Sequence, residues 1–455
     1  LKSQHPRLGT PRPRPGLNGR APNGHHSLAA ASMAFSGLSL PVLTVLVCSS
    51  GVAGSAVASS VQDPAEDYHS FVSHYKRPFS HDTKEFEDRR VLFNQRVAQV
   101  RALNERPNKL WTAGINALTD RTEEELAQLR GWRGAAFRGQ GQQAQPRTGG
   151  TFLKQNSRAK PLPLESMNWT KLNTTLNIIN QGSCGSCWAV TATTVLKAHA
   201  EIYLPKSERT FSTQELLSCM PNPHSCGGDG GCKGATVELA LHYVMRHGLG
   251  TEKEEPYEAV TGKCARLSPE ADKHSLASSM AEGVHADDDT SVDDIAKPGL
   301  HVALTASPSI SFGMRAWERL PENKYEPLLR AVYERGPVAV SVAASAWSLY
   351  SRGIFDHCTK DAVIDHAVTL VGFGEGYGSD KQTKEQFWLV QNSWGPDWGE
   401  EGKIRILRRE SDDVEQCGTD HQPEVGTACK GGPKQVKVCG MCGILYDSVV
   451  PHFAA

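Results

Sequence analysis

The chain has 455 residues with 49 Lys+Arg against 50 Asp+Glu, a formal net charge of −1, so no global basic field points to nucleic acid as a partner. Its 12 cysteines fit an oxidising compartment better than the cytosol. Beyond residue 58 no apolar run reaches bilayer-spanning length, which predicts a soluble mature product without a membrane span.

In chain order, residues 1–32 are rich in Arg, Pro and Gly and begin with Leu, so they read as an unstructured low-complexity leader outside the fold. Met33 is the expected start. The apolar core at 38–47, interrupted by Pro41, and the small-x-small tripeptide Ala56-Val57-Ala58 read as a signal peptide over 33–58. Residues 59–133 read as a charged helical segment, because Glu85, Arg89, Phe93, Val100 and Asn104 fall near one helical stripe. A linker over 134–161 follows, Gly- and Gln-rich at 134–150 and therefore flexible.

Residues 181–188, Q-G-S-C-G-S-C-W, put a cysteine at the start of a helix. The run from 188 to 204 has no Gly or Pro and spaces Val190, Val195, Leu196, Ile202 and Leu204 for a mostly buried helix, while Gly182 and Gly185 belong to the loop before it. Cys187 then sits in the first turn, where free N–H groups and the positive end of the helix dipole favour a thiolate. Reading Cys184 and Cys187 as a redox pair would need a strand–helix–strand pattern that the surrounding sequence lacks. Farther on, the apolar run 368–373 after Asp365-His366 predicts a buried strand, and 387–395 predicts a second one ending at Asn392.

These segments carry a resemblance. C-G-S-C-W matches the local signature around the nucleophile of papain and the cathepsins, and the His366 and Asn392 segments resemble that family's histidine and asparagine segments in the same order. The resemblance implies a papain-like, two-lobed α+β fold over 162–455, with a helical lobe carrying Cys187 and a β-barrel-like lobe carrying His366 and Asn392. It implies a cysteine endopeptidase that needs no cofactor and no metal. Cys187 attacks the peptide carbonyl, His366 moves the proton, Asn392 orients the ring, Trp394 shields that hydrogen bond, and Gln181 donates to the oxyanion.

The same resemblance extends upstream. The helical stripe resembles the inhibitory propeptide signature of the cathepsin L-like branch, with Arg96 where asparagine is usual, and Gly114-x-Asn116-x-Leu118-x-Asp120 resembles its second signature. A zymogen follows, its propeptide at 59–133 filling the cleft backwards, released as acid protonates carboxylates, with the cut ahead of Leu162-Pro163. Expected partners are peptide and protein substrates, the chain's own propeptide, and cystatin-like inhibitors; the expected location is the secretory pathway, ending in a lysosome, vacuole or the extracellular space. Asn168-Trp169-Thr170 and Asn173-Thr174-Thr175 are glycosylation sequons.

For substrate binding the resemblance points to Gly234, Ala235, Ser341, Ile364, Asp365 and Trp394, with Asp447 at the bottom of the S2 pocket, where a carboxylate would attract Arg or Lys at P2 beside a hydrophobic alternative. It pairs Cys184 with Cys232, Cys219 with Cys264 and Cys358 with Cys442, leaving Cys226, Cys417, Cys429 and Cys439 unassigned; a zinc site among the late cysteines would need reduced thiolates. His366 and Asn392 lie farther from Cys187 than the roughly 130–150 residues usual in the family, so material is inserted between Cys187 and His366, at 265–312; a second insertion is read at 410–440. The first insertion, with acid runs at 287–289 and 293–294 and with His274, His285 and His301, reads as a solvated loop, a loop occluding one end of the cleft being the alternative. A catalytically silent binding or storage homologue and a redox or metal-binding secreted protein are the readings from other classes.

Overall fold

The computed structural model describes residues 67–131, 166–206, 209–265, 301–303 and 312–453. The leader, the signal peptide, the linker and nearly all of the 265–312 insertion expected from the sequence lie outside them.

The upstream segment folds as three helices and a strand. Asp67 caps α1 (Tyr68–His74) and Thr83 caps α2 (Lys84–Glu105), whose Phe93 closes an aromatic cluster with Tyr68, Phe71 and Phe86. The helical stripe then works through its polar members: Arg89 pairs with Glu85 at 3.1 Å and Glu125 at 2.9 Å, and Asn104 makes two 2.9 Å hydrogen bonds to the backbone of Ala113 in β1 (Trp111–Ala113). Helix α3 (Glu123–Leu129) opens on a capping box between Thr122 and Glu125. Arg96 is buried; it donates to the carbonyls of Leu118 and Thr119 at 3.1 Å and to that of Arg121, and pairs with Glu123 at 2.8 Å.

Downstream, β2 (Met167–Asn168) and α4 (Asn173–Leu176) lead into the long α5 (Cys187–Tyr203), which is buried on nearly every side and packs with α6 (Thr213–Cys219) and α7 (Val237–His247). The rest is mainly strand: β3 (His301–Ala303), β4 (Met314–Arg319), α8 (Tyr325–Glu334), β5 (Val338–Val342), β6 (Tyr350–Phe355), β7 (His366–Tyr377), β8 (Lys384–Gln391), β9 (Lys403–Leu407), β10 (Cys417–Asp420), β11 (Val436–Cys439) and β12 (Asp447–Phe453). The fold is thus of the α+β class, a helical lobe beside a strand-rich one.

The strand lobe is not a closed barrel. Its sheet runs β1-β6-β9-β8-β7-β5-β12-β4-β3 with two unjoined ends among the described residues, and β2 pairs with β7 off that path. One end is taken by β1, which docks antiparallel on β6 and so gives that lobe's edge strand a partner from the upstream segment. Five disulfides staple the structure: Cys184–Cys232, Cys219–Cys264, Cys226–Cys429, Cys358–Cys442 and Cys417–Cys439. The late cysteines are therefore committed to sulfur–sulfur bonds rather than to thiolate ligation.

Replacing Arg96 by Met keeps the bulk but removes the donors of three carbonyls. The upstream module is expected to lose about 2 kcal/mol, read as a lower denaturant midpoint of the precursor carrying an inactive Cys187→Ala background.

Candidate active site

Helix α5 starts at Cys187 with no side-chain cap on its first turn, so its leading N–H groups stay open to a ligand. The loop before it is pinned by Cys184–Cys232 and by a 3.0 Å hydrogen bond from Gly185 N–H to the Cys232 carbonyl. Gly185 has no room for a Cβ, which would lie 2.6 Å from that carbonyl oxygen. Gln181 is fully buried; its N–H donates to the Ser393 carbonyl at 2.9 Å, its Oε1 accepts from Ser393 Oγ at 2.5 Å, and its Nε2 donates to the Cys184 carbonyl at 2.7 Å.

The facing lobe supplies the imidazole. His366 opens β7 and Asn392 follows the end of β8, and the antiparallel register of these strands, with Thr369 opposite Gln391, brings the two side chains together. His366 Nε2 lies 2.8 Å from Asn392 Oδ1, which also accepts the Ser393 N–H at 2.8 Å. Since that oxygen only accepts, the ring hydrogen belongs on Nε2. Trp394 covers the imidazole at 5.1 Å between ring centroids and Trp347 meets it edge-on at 6.3 Å. His366 lines one pocket with Cys187, Gly234, Ala235, Ser341 and Asp365.

The C-terminal end of α3 occupies this cleft. Gln181 Nε2 donates to the Leu129 carbonyl at 2.7 Å, the half-buried Arg130 pairs with the buried Asp365 at 2.7 Å, and Gly131 lies against Gly234. A helix end offers carbonyls and the negative pole of its dipole, so it satisfies an anion-seeking donor without presenting an extended peptide bond. Burial under this helix reverses the charge state expected of a first-turn cysteine. Loss of solvent pushes the Cys187 thiol up to about 11, against the Ala367 and Trp188 N–H groups that favour the thiolate. Burial likewise lowers His366 to about 4, against the bond to Asn392. In the covered state both groups are neutral.

Among the residues expected to bind substrate, Gly234, Ala235, Ser341 and Asp365 border the pocket, and Trp394 stands behind His366. Ile364 is fully buried with Val438 and Tyr446. Asp447 sits behind Ser341, whose hydroxyl donates to it at 2.6 Å, but it is not a free carboxylate: Arg319 donates to it at 2.9 Å and also pairs with Glu238 at 3.5 Å, all three being buried. Burial and the Asp447 charge push the Glu238 carboxyl above its ordinary range. The carboxylate expected to meet a basic P2 residue is therefore already paired with Arg319.

The sequence model described as papain family cysteine protease matches residues 163–313 and 306–427, and that of the cathepsin propeptide inhibitor domain matches 68–126. The chain belongs to the papain family. It is a cysteine peptidase made as a zymogen with its own propeptide. The senescence-specific cysteine protease SAG12 of Arabidopsis thaliana is 29% identical over 346 residues, covering 74% of this chain and 83% of that protein. The oryzain beta chain of Oryza sativa subsp. japonica is 28% identical over 340 residues, 73% of this chain, which spans 60% of that relative's length. In fold, the digestive procathepsin L2 proteinase of Tenebrio molitor larval midgut superposes with a TM-score of 0.57 at 24% identity, over 86% of this chain and all (100%) of that one.

Sequence reasoning missed Ser393, which holds both the Gln181 amide and the Asn392 oxygen, although its place next to Asn392 was a signal. It also missed Arg130 and Tyr257, whose hydroxyl donates to the Gln181 carbonyl at 2.8 Å; nothing local to either residue announces those partners.

Two outcomes follow from the covered state. At about pH 7, Cys187 in the precursor is expected to react with iodoacetamide at least about 100-fold more slowly than in enzyme freed of its propeptide, as timed by mass spectrometry. The second concerns acid. Burial acts to raise the Glu125 carboxyl, but hydrogen bonds from Arg89 and the Thr122 N–H outweigh it and hold it at about 2. A carboxyl depressed in the folded state adds stability above its ordinary value, 4.5 here, that is lost as pH falls through the folded value. Glu125→Gln should therefore weaken the propeptide fold near neutrality and converge with wild type toward about pH 2, checked by unfolding midpoints across that range.

Proposed function

We propose that the mature enzyme cleaves peptide bonds through Cys187 and His366. Once α3 leaves, water re-enters the cleft, the proton passes from the thiol to His366 Nδ1, and the thiolate at the start of α5 gains the helix dipole. The thiolate sulfur bonds to the carbonyl carbon and the carbonyl π pair moves onto oxygen, stabilised by Gln181 Nε2–H and the Cys187 N–H. The intermediate collapses, the C–N bond breaks, and His366 protonates the leaving amine, giving a thioester. His366 then takes a proton from water, whose hydroxyl displaces the sulfur and releases the acid. Asn392 keeps the ring in one tautomer, and Trp394 keeps water from that hydrogen bond.

The observation that carries this reading is the Leu129 carbonyl on Gln181 Nε2: a carbonyl already stands at the donor that would hold a substrate oxyanion. For P2, the neutralisation of Asp447 by Arg319 favours an apolar side chain over a basic one. Five disulfides support a secretory route ending in a lysosome, a vacuole or outside the cell, and no helix among the described residues is long and apolar enough to cross a membrane. Asn168 and Asn173 are both exposed and suit glycans.

The test is a precursor beginning near Ser59, treated with thiol at about pH 4.5, with and without an added aspartic peptidase, beside its Cys187→Ala counterpart. Activity on a Phe-Arg amide is expected only with Cys187 present; a folded, propeptide-free wild type without activity would refute the assignment. Gln181→Ala should lower kcat by about 100-fold with KM little changed. Phe-Arg is expected to exceed Arg-Arg by about tenfold, and Asp447→Ala, by leaving Arg319 short of a partner, should cost about 3–5 kcal/mol of stability, seen in the denaturant midpoint.

A further inference from the structure

The 410–440 insertion forms a strap that reaches from the strand lobe to the helical lobe. On the strand side β10 and β11 pair across the Cys417–Cys439 disulfide, and the fully buried Asp420 accepts the Ile364 N–H at 3.0 Å. The chain from 423 to 430 then crosses over. On the helical side, Ala428 accepts the Gly227 N–H at 3.0 Å, Lys430 N–H donates to the His224 carbonyl at 3.0 Å, and Cys429 bonds to Cys226. Cys184–Cys232 and Cys219–Cys264 lie within the helical lobe and Cys358–Cys442 and Cys417–Cys439 within the strand lobe, so Cys226–Cys429 is the disulfide that cross-links them among the described residues.

At its middle the strap touches both rims of the cleft. A Cβ on Gly426 would lie 2.1 Å from the Ile364 carbonyl oxygen and 3.0 Å from the Asp365 Cα, and a Cβ on Gly227 would lie 2.7 Å from the Gly426 carbonyl oxygen. Backbone meets backbone on either side, at positions where only glycine fits. Gly227 and Gly426 border the same pocket as Cys187 and His366. The gap between Gly227 and Asp365 is thus filled by polypeptide and locked by a disulfide.

We infer that the strap 423–429 closes the acyl side of the cleft just past the residue resting on Gly234 and Ala235, and so sets the length of substrate the enzyme accepts. This rests on the catalytic reading above. Peptides with two residues ahead of the scissile bond fit; longer N-terminal extensions meet the strap. The favoured substrate class is therefore short peptides and short N-terminal pieces of longer chains, and the cut that frees the mature enzyme, far inside its own precursor, falls to another peptidase.

The experiment compares acetyl-Phe-Arg-aminomethylcoumarin with the same peptide carrying four more N-terminal alanines, using enzyme matured by an added peptidase. Wild type is expected to show kcat/KM lower by about tenfold or more on the long peptide. Cys226→Ser with Cys429→Ser should bring the ratio to within about twofold while keeping turnover of the short one. Should that variant fail to fold, mass spectrometry of a denatured protein digested by wild type decides: early products confined to short N-terminal pieces support the strap. Equal rates on both peptides, or interior cuts from the start, overturn the length limit and leave the catalytic reading intact. No turnover of either peptide by folded wild type overturns both.

Discussion

On the proposed mechanism, the hydrogen bond from Gln181 Nε2 to the Leu129 carbonyl, 2.7 Å long, is the contact on which the zymogen's chemistry turns. The donor suited to a developing oxyanion is occupied by the end of a helix, whose dipole supplies the negative charge the site seeks. The Leu129 carbonyl belongs to the last turn of α3, where helix carbonyls are left without an axial partner, so it fills the donor without lying extended beside Cys187. The same coverage removes the water that a thiolate and an imidazolium need. Geometry and charge state are therefore switched off together by one docked element, while the bond between His366 and Asn392 is already made. What removal of the propeptide supplies is solvent and space.

Behind the cleft, Arg319, Glu238 and Asp447 bring a buried guanidinium and two buried carboxyl groups from β4, α7 and β12 into one cluster. Such groups lose several kcal/mol each on desolvation, and their mutual attraction roughly offsets that loss only when geometry is good. Their physical effect is placement: Arg319 ties the helical lobe, through Glu238, to the strand that carries Asp447. It also makes the back of the pocket polar but internally neutralised, which is why the side chain at 447 alone says little about specificity.

Local features were legible in the sequence. The start of α5 is written in its own residues, through a glycine-bearing loop before a run without Gly or Pro. His366 and Asn392 could be placed because their segments resemble the family's histidine and asparagine segments and follow the nucleophile signature in the same order; a histidine beside an apolar strand would not have sufficed alone. The α+β class came with the family resemblance, but closure of the sheet did not, since strand order is decided by pairing across the whole domain. Long-range partners were the blind spot. Arg319 meets Asp447 across 128 residues and Cys226 meets Cys429 across 203, and no periodicity reports such distances. Arg96 shows the opposite lesson: it departs from the family's asparagine, yet its longer arm finds three carbonyls and a carboxylate.

The strap could be read as a stabilising staple alone. In the chain-entropy model a cross-link spanning 203 residues contributes about 5 kcal/mol, and less once other bridges already constrain the chain. That gain depends on loop length and would follow from many other attachment points. It does not account for the route: two backbone segments that glycine alone allows to approach, at Gly227 and Gly426, directly over Ile364 and Asp365 and on the border of the pocket that holds Cys187. A staple chosen for stability has no need to pass there, and positions demanding glycine cost conformational entropy on folding. The placement is explained when the strap is a wall of the cleft, with the disulfide keeping that wall in position against incoming chains.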